Sequence, residues 1–224
     1  MIKIAPSTNP EKEENLVNYV KELEQAGADF LHCDVMDGKF VKASCLGVEK
    51  LMEVSQNSTI ALDVHLMVED PINKIAEYSW VKPTILTVHY ESFKNKANIL
   101  YAIEQIHKMQ IMAGLSIKPA TKIDDIKPFL PYLDLVLIMS VEPGKSGQAF
   151  IEETHQKVND LKNYLIDHNL DCKIEVDGGI NIDNIVRLYQ NGMDIAVMGS
   201  AMYKAQNRAE FINKIKANAN KNKK

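Results

Sequence analysis

Strand-like and helix-like segments alternate from one end of the 224-residue sequence to the other, and this alternation restricts the fold more than any other feature. Between the strand-like runs, apolar residues recur at helical spacing, for example Leu16, Val20 and Leu23. Such alternation predicts a parallel sheet. The strand-like runs, rich in β-branched and other apolar residues, are IKIAPS (2–7), FLHCDVM (30–36), IALDVHLM (60–67), TILTVHY (84–90), IMAGLSI (111–117), LDLVLIMSV (133–141), KIEVDGG (173–179) and DIAVMGS (194–200).

Eight strand–helix units in a chain of this length predict a closed (β/α)₈ TIM barrel, an α/β fold. No linker or composition shift divides the units. We therefore expect one catalytic barrel domain over residues 1–218 and a polar, basic, frayed tail over residues 219–224. A doubly wound open sheet is the alternative, which the missing G-x-G-x-x-G turn after the first strand disfavours. In a barrel, functional residues lie at the C-terminal ends of the strands.

The composition disfavours several classes of function. The net charge is −4 and the pI about 5.9, so we expect no nucleic-acid partner. No apolar run is long enough to span a membrane, and the first residues lack the apolar core of a signal peptide. Cys33, Cys45 and Cys172 are odd in number and lack C-x-x-C spacing, so we expect reduced thiols in a cytoplasmic protein.

Polar residues recur at alternate positions near the ends of three predicted strands. Because side chains alternate across a strand, residues two apart share a face. A lone histidine in a strand is more often a core residue than a ligand, but pairs on adjacent strands favour a functional site. If these faces line the barrel, two histidines and two aspartates converge near its top. The sets are His32, Asp34 and Met36; Asp63, His65 and Met67; and Glu175 and Asp177.

This mixture of imidazole and carboxylate groups predicts a particular chemistry. Two imidazoles and two carboxylates suit one divalent metal ion such as Zn²⁺, Fe²⁺, Mn²⁺ or Co²⁺. With open coordination positions, such an ion acts as a Lewis acid toward a carbonyl oxygen. Two carboxylates on either side of a substrate also suit acid–base catalysis, in which one removes a proton from a carbon and the other returns a proton to the opposite face.

Glycine-bearing segments follow the last three predicted strands, at Gly144 to Gly147, Gly178-Gly179 and Gly199-Ser200. Glycines let backbone N–H groups approach an anion, and phosphate sites in barrels use the loops after strands 7 and 8. Gly144-Lys145-Ser146 resembles the end of a nucleotide-binding P-loop. The first glycine of a P-loop would fall at position 139, which is Met139, so a P-loop is excluded.

Taken together, these motifs resemble the ribulose-phosphate 3-epimerase family over nearly the whole chain. That family folds as a (β/α)₈ barrel of the ribulose-phosphate-binding type. It interconverts D-ribulose 5-phosphate and D-xylulose 5-phosphate at C3, a step of the pentose phosphate pathway, through a cis-enediolate and with a metal ion. The matching segments are IAPS (4–7), HCDVMDGKFV (32–41), DVHLMV (63–68), TVHYES (87–92), MSVEPGKSGQAFI (139–151), EVDGGI (175–180) and MGSAM (198–202).

The resemblance implies a role for each matching residue. Asp34 and Asp177 match the two catalytic carboxylates that exchange the C3 proton. The same two aspartates, with His32 and His65, match the metal ligands. The positions that match substrate-binding residues are Ser7, His65, Met36, Met67, Met139, Gly144, Lys145, Ser146, Gly147, Gly178, Gly179, Gly199 and Ser200.

The chain departs from the family pattern in two loops beside the expected site. KASCLG (42–47) stands where the family has P-N-x-T-F-G, and PGKSGQ (143–148) stands where it has PGFGGQ. Lys145 thus replaces an aromatic residue and Ser146 a glycine. We expect Lys145 to face solvent, since the family binds phosphate mainly through backbone donors.

These departures leave alternatives open. One is 3-epimerisation of another ketose phosphate such as allulose 6-phosphate. Others are a phosphate-binding barrel of tryptophan or pyrimidine biosynthesis, and a sugar-phosphate-binding barrel without turnover. In each case the expected partner is a small sugar phosphate or related molecule rather than a membrane. The resemblance is also compatible with a homo-oligomer.

Overall fold

Eight parallel strands form a closed ring in the computed structural model, which describes residues 1–145 and 147–221. Each strand pairs with the next along the chain, and the last pairs with the first. A parallel bridge between Ser7 and His32 joins the first two strands and closes the ring. The strands are β1 Lys3–Pro6, β2 Phe30–Asp37, β3 Ala61–Met67, β4 Ile85–His89, β5 Met112–Ile117, β6 Leu135–Met139, β7 Lys173–Asp177 and β8 Ile195–Met198.

Helices follow the strands and cover the outside of the ring. The prediction of a (β/α)₈ barrel is therefore confirmed, and the open-sheet alternative is wrong because the sheet closes. A two-residue strand, Ser44–Cys45, pairs antiparallel with the end of β2. The helices are α1 Leu16–Gln25, α2 Val48–Asn57, α3 Pro71–Ser79, α4 Ala97–Lys108, α5 Ile123–Ile126, α6 Thr154–Asp167, α7 Ile185–Gln190, α8 Ser200–Tyr203 and α9 Arg208–Lys221, with single 3₁₀ turns at Glu13–Asn15, Tyr90–Ser92 and Leu130–Tyr132.

The largest apolar core lies between the ring and the helices. The strands are buried on both faces, which explains their nearly continuous apolar sequences. Inside the ring a smaller cluster fills the space below the site; its buried members are Ala5, Ile85, Leu135, Leu137, Met139, Val141, Ile195 and Val197. The floor of the site therefore rests on a packed interior rather than on a pore.

The C-terminal helix α9 completes the outer layer. Ile212, Ile215 and Ala219 are buried, and the Arg208 guanidinium lies 2.6 Å from the Glu22 carboxylate on α1. The helix continues to Lys221, three residues beyond the expected domain boundary at residue 218. That boundary stays a prediction, and residues 222–224 of the expected tail lie outside the described residues.

Two sequence-based expectations about the chain as a whole meet the structure here. Cys33, Cys45 and Cys172 are all free thiols. Within residues 1–145 and 147–221, no helix combines the length and the apolar character that crossing a bilayer requires.

Candidate active site

The four predicted metal ligands converge at the C-terminal end of the ring. Strand register places them there, because β2 and β3 pair with Asp34 opposite His65. Asp177 ends β7, opposite Met139 on β6. One ligand atom from each of His32, Asp34, His65 and Asp177 lies within 4.8 Å of the others, and these four residues are called the histidine–aspartate cluster below. The alternation in the sequence therefore correctly predicted which side chains meet.

A buried carboxylate fixes the orientation of the His32 ring. The Nδ1 atom of His32 lies 2.5 Å from Oδ2 of Asp63, and both side chains are fully buried. An ionised carboxylate accepts hydrogen bonds only, so Nδ1–H donates to Asp63. The lone pair of Nε2 is then directed toward the cluster. A carboxylate behind a ligating histidine is the usual arrangement at metal sites.

Three potential ligand atoms crowd together above Asp63. Oδ1 of Asp34 lies 3.2 Å from Nδ1 of His65 and 3.4 Å from Nε2 of His32, and the two ring nitrogens are 3.3 Å apart. Lone pairs at such distances repel unless a positive charge lies among them. Two nitrogens and carboxylate oxygens match the donor set of a divalent transition metal, so the residues present fit such an ion.

The charges of the cluster push the pKa values of its two aspartates in opposite directions. Burial alone would raise the pKa of Asp34, but His32 and His65 outweigh burial and hold that pKa well below its usual range. Burial, followed by the nearby Asp34 carboxylate, raises the pKa of Asp177 to about 7. At neutral pH one carboxylate is a base, while the other can carry a proton, as paired acid–base catalysis requires.

The charge of His32 also depends on its surroundings. Burial lowers its pKa, but Asp63 and Asp34 outweigh burial and raise the pKa well above its ordinary value. In the absence of a metal ion, a proton on His32 therefore supplies the positive charge that the cluster needs.

Glu175 is a buried acid that sequence reasoning placed beside Asp177 without giving it a role. Burial, followed by the Asp63 carboxylate, raises the pKa of Glu175 well above its ordinary value. Oδ1 of Asp63 and both carboxyl oxygens of Glu175 have no hydrogen-bond partner among the described residues. Glu175, Asp63 and His32 are also close enough to share an ion. Because its raised pKa keeps Glu175 neutral, it adds no second negative charge beside Asp63.

His89 and Glu91 form a second hydrogen-bonded pair behind the cluster, and the sequence interpretation gave neither residue a role. Nε2 of His89 lies 2.9 Å from Nε2 of His65, and Nδ1 of His89 lies 3.0 Å from Oε2 of Glu91. Burial lowers the pKa of His89 to about 4. The alternation rule could have found His89, because it follows Ile85 and Thr87 on the inward face of β4.

A cavity of about 250 Å³ opens above the cluster at the C-terminal end of the ring. Ser7 contributes its hydroxyl, which donates to Oδ2 of Asp34 at 2.8 Å. His32 and His65 lie beneath the cavity floor and are fully buried. The predicted residues that line the cavity are Ser7, Asp34, Met36, Met67, Met139, Gly144, Lys145, Gly147, Asp177, Gly178, Gly179, Gly199 and Ser200.

The glycine-bearing loops form one side of this cavity. Gly179 has φ +63°, and a Cβ atom there would lie 2.8 Å from the backbone nitrogen of Phe150. A Cβ at Gly144 would lie 2.7 Å from Cβ of Val41. The loop between β6 and α6 therefore packs directly on its neighbours, and only glycine permits both approaches.

Two lysines face the same loops. Lys145 is exposed, in agreement with the expectation that it faces solvent, although it also borders the cavity. Its carbonyl accepts a hydrogen bond from the Gln148 side chain at 2.8 Å. Lys204 on the cavity wall was missed by sequence reasoning, because a single lysine after a helix carries no distinctive pattern. Ser146, predicted to bind substrate, lies outside the described residues.

Comparison with known protein sequences gives consistent matches. A family model described as the ribulose-phosphate 3 epimerase family matches residues 3–203. The ribulose-phosphate 3-epimerase of Helicobacter pylori is 38% identical over 92% of this chain and 93% of its own. The Bacillus subtilis enzyme of the same name is 35% identical, over 96% of this chain and 99% of its own. The chloroplastic ribulose-5-phosphate-3-epimerase of Arabidopsis thaliana is 35% identical over 96% of this chain and 76% of its own length.

Comparison with solved structures supports the fold. 3-Hexulose-6-phosphate synthase from Salmonella typhimurium superposes with a TM-score of 0.73 at 12% identity, covering 99% of this chain and all (100%) of its own. Tryptophan synthase from Mycobacterium tuberculosis gives a TM-score of 0.67 at 12% identity, and the match covers 97% of this chain and 91% of that chain. At such identities the likeness concerns the barrel fold alone.

Proposed function

The chain belongs to the ribulose-phosphate 3-epimerase family, and we propose that it interconverts D-ribulose 5-phosphate and D-xylulose 5-phosphate by moving the C3 proton between Asp34 and Asp177. It is an isomerase of the epimerase class. The observation that carries the proposed residue roles is the convergence of two aspartates with opposite pKa shifts at the floor of one cavity.

The two aspartates differ in proton affinity: without a metal ion, the pKa of Asp34 is held low and that of Asp177 is raised to about 7. Asp34 is ionised and takes the C3 proton from one face of the sugar, while Asp177 returns a proton to the other face. In the reverse reaction the two exchange roles. Ser7 donates a hydrogen bond to Oδ2 of Asp34 and so orients its carboxylate.

One divalent metal ion is part of the proposal, with His32, Asp34, His65 and Asp177 as its ligands. When bound, it supplies positive charge beside the sugar oxygens that become negative as the C3 proton leaves. The buried methionines Met36, Met67 and Met139 border the reacting carbons and exclude water without offering strong hydrogen bonds.

The phosphate end of the substrate is assigned to the glycine loops. Gly144, Gly147 and Gly179 have positive φ angles and line the cavity, and Gly144 and Gly179 also pack closely on neighbouring segments. Backbone N–H groups in such turns bind anions. Lys204 on the cavity wall adds positive charge around this end, while the exposed Lys145 borders the cavity.

The experiment that tests this function measures turnover directly. Purified protein is given D-ribulose 5-phosphate, and a coupled assay monitors the formation of D-xylulose 5-phosphate. The assay is run on the untreated protein, on the protein after chelation, and after each candidate metal is added back. A parallel assay uses allulose 6-phosphate. We expect turnover of the pentose, its loss on chelation and its recovery with metal. Faster turnover of the hexose phosphate would replace the proposed substrate, and no turnover of either would indicate a binding protein.

A further inference from the structure

We infer that Glu91 and His89 are positioning residues that fix the tautomer of His65 and thereby direct its Nδ1 lone pair toward the metal ion. This inference rests on the proposed function, since it needs His65 to be a ligand. Neither Glu91 nor His89 lines the cavity. Both lie behind the cluster, at the end of β4 and in the 3₁₀ turn that follows.

The hydrogen bonds that link Glu91, His89 and His65 leave one consistent arrangement of protons. Oε2 of Glu91 lies 3.0 Å from Nδ1 of His89, and a carboxylate only accepts, so His89 donates through Nδ1–H. His89 and His65 face each other through their Nε2 atoms at 2.9 Å. Two N–H groups would collide there, so one nitrogen carries the hydrogen and the other accepts it.

The position of the Glu91 carboxylate therefore decides the state of His65. Because the hydrogen on His89 is on Nδ1, its Nε2 atom is the acceptor, and His65 must donate through Nε2–H. The Nδ1 atom of His65 is then free of hydrogen. This is the nitrogen that lies 3.2 Å from Oδ1 of Asp34 and 3.3 Å from Nε2 of His32, where a metal ion would bind.

The Glu91 carboxylate is held in place by the neighbouring loop. Oε1 of Glu91 accepts hydrogen bonds from the backbone N–H of Lys118 at 2.8 Å and from the hydroxyl of Thr121 at 2.5 Å. The Lys157 ammonium on α6 holds the same loop, donating to the carbonyl oxygens of Pro119 at 2.6 Å and Thr121 at 2.9 Å. Oε1 is thus occupied, and only Oε2 faces His89.

This anchoring makes Glu91→Gln a sharp test. The Lys118 N–H requires an acceptor, so the glutamine oxygen takes the place of Oε1 and its NH₂ group faces Nδ1 of His89. His89 would then accept through Nδ1 and donate through Nε2–H. His65 would in turn accept at Nε2 and carry its hydrogen on Nδ1, which blocks the metal-binding nitrogen. The size of the residue is unchanged, so the substitution reverses the chain of hydrogen bonds without removing it.

The measurement is Zn²⁺ affinity of the full-length protein by competition with a chromophoric chelator, combined with the thermal unfolding midpoint. Nitrogen-15 NMR of the imidazole rings of the same proteins reports the tautomer of His65. For Glu91→Gln and for His89→Phe we expect Zn²⁺ binding about 10–100-fold weaker than wild type. His89→Gln, whose side-chain oxygen can accept from His65 near the former Nε2 position, should recover part of that loss.

A matched control uses a histidine–carboxylate pair at the other end of the barrel. Nε2 of His107 lies 2.8 Å from Oδ2 of Asp134, and Asp134 precedes β6. Asp134→Asn should leave Zn²⁺ affinity unchanged even if it lowers the unfolding midpoint.

Two results would overturn the inference. One is wild-type Zn²⁺ affinity in Glu91→Gln; the other is a His65 ring that still carries its hydrogen on Nε2 in that variant. If the wild-type protein itself bound no divalent metal, the proposed metal site would fail instead, so the two failures are distinguishable.

Discussion

The histidine–aspartate cluster and the glycine loops occupy one cavity but are constructed differently. The cluster consists of buried or partly buried side chains on strands, and His32, His65 and Asp34 are each fixed by a hydrogen-bond partner. The loops contribute mainly backbone, and their shape depends on close approaches such as that of Gly179 to Phe150. Strand side chains can hold a metal ion and move a proton, whereas loop backbone can surround a phosphate without adding a titratable group.

The contrast predicts two kinds of failure. Changes in the cluster should remove chemistry or metal while leaving the fold intact, because its strands are held by the surrounding core. Changes in the loops should misplace a substrate that the cluster could still convert.

Replacing either catalytic aspartate should have the largest effect. Asp34→Asn and Asp177→Asn should each lower kcat by about 10²–10⁴-fold or more, because an amide cannot take or return the C3 proton. Steady-state kinetics on D-ribulose 5-phosphate measures the loss, and metal analysis shows how much of it reflects lost metal. Solvent deuterium should enter C3 of only one epimer in each variant, and of opposite epimers in the two variants.

A control from the same strand is Asp37→Asn. Asp37 accepts hydrogen bonds from the backbone N–H groups of Lys39 and Phe40 and does not line the cavity. Its replacement should leave kcat within a few-fold of wild type. Near-normal epimerisation by Asp34→Asn or Asp177→Asn would contradict the assignment of the two carboxylates.

Gly179→Ala should damage binding rather than chemistry. The new Cβ would lie 2.8 Å from the Phe150 nitrogen, so the loop must move. A displacement of about 1 Å can cost about 10²-fold in kcat/KM. We expect most of that loss in KM for D-ribulose 5-phosphate, with the metal content unchanged.

Gly27→Ala separates backbone strain from close approach. Gly27 has φ +83° but no atom within 4 Å of a built Cβ, and it follows α1, far from the cavity. Alanine there should lower stability by about 1–2 kcal/mol and leave KM unchanged. Equal effects of the two substitutions on KM would show that the packing on Phe150 is unimportant for the substrate.

Metal affinity should increase with pH, because two residues of the histidine–aspartate cluster hold protons. Asp177, with its pKa raised to about 7, and His32, with its pKa also raised, hold protons that a metal ion must displace. Affinity should therefore increase with pH, by about tenfold or more between pH 6 and pH 7. Competition titrations with Zn²⁺ at several pH values measure the slope, which should be shallower in Asp177→Asn. An affinity independent of pH would contradict the raised pKa values.

Replacing Lys145 should have the smallest effect. Its side chain is exposed, so salt and water screen its charge from the substrate phosphate. Lys145→Phe, which restores the aromatic residue of the family pattern, should change KM by less than about threefold at physiological ionic strength. A KM change of tenfold or more would assign Lys145 to the phosphate site.

Sequence reasoning predicted the histidine–aspartate cluster more completely than it predicted the residues around the cluster. Alternation along β2 and β3 was enough to place His32, Asp34 and His65 together, because register in a parallel sheet carries over from strand to strand. Glu91 could not have been found in this way, since it lies in a turn and its partners Lys118 and Thr121 are distant in sequence. Lys204 was missed because a single lysine after a helix carries no distinctive pattern.

The sequence by itself determined the barrel, the inward face of each strand and the family, because these depend on local periodicity and on short motifs. Only the tertiary structure decided which nitrogen of His32 faces the cluster, why the pKa values of Asp34 and Asp177 separate, and which glycines are sterically required. These properties arise from contacts between distant segments and from burial, which act over distances in space that no local sequence pattern records.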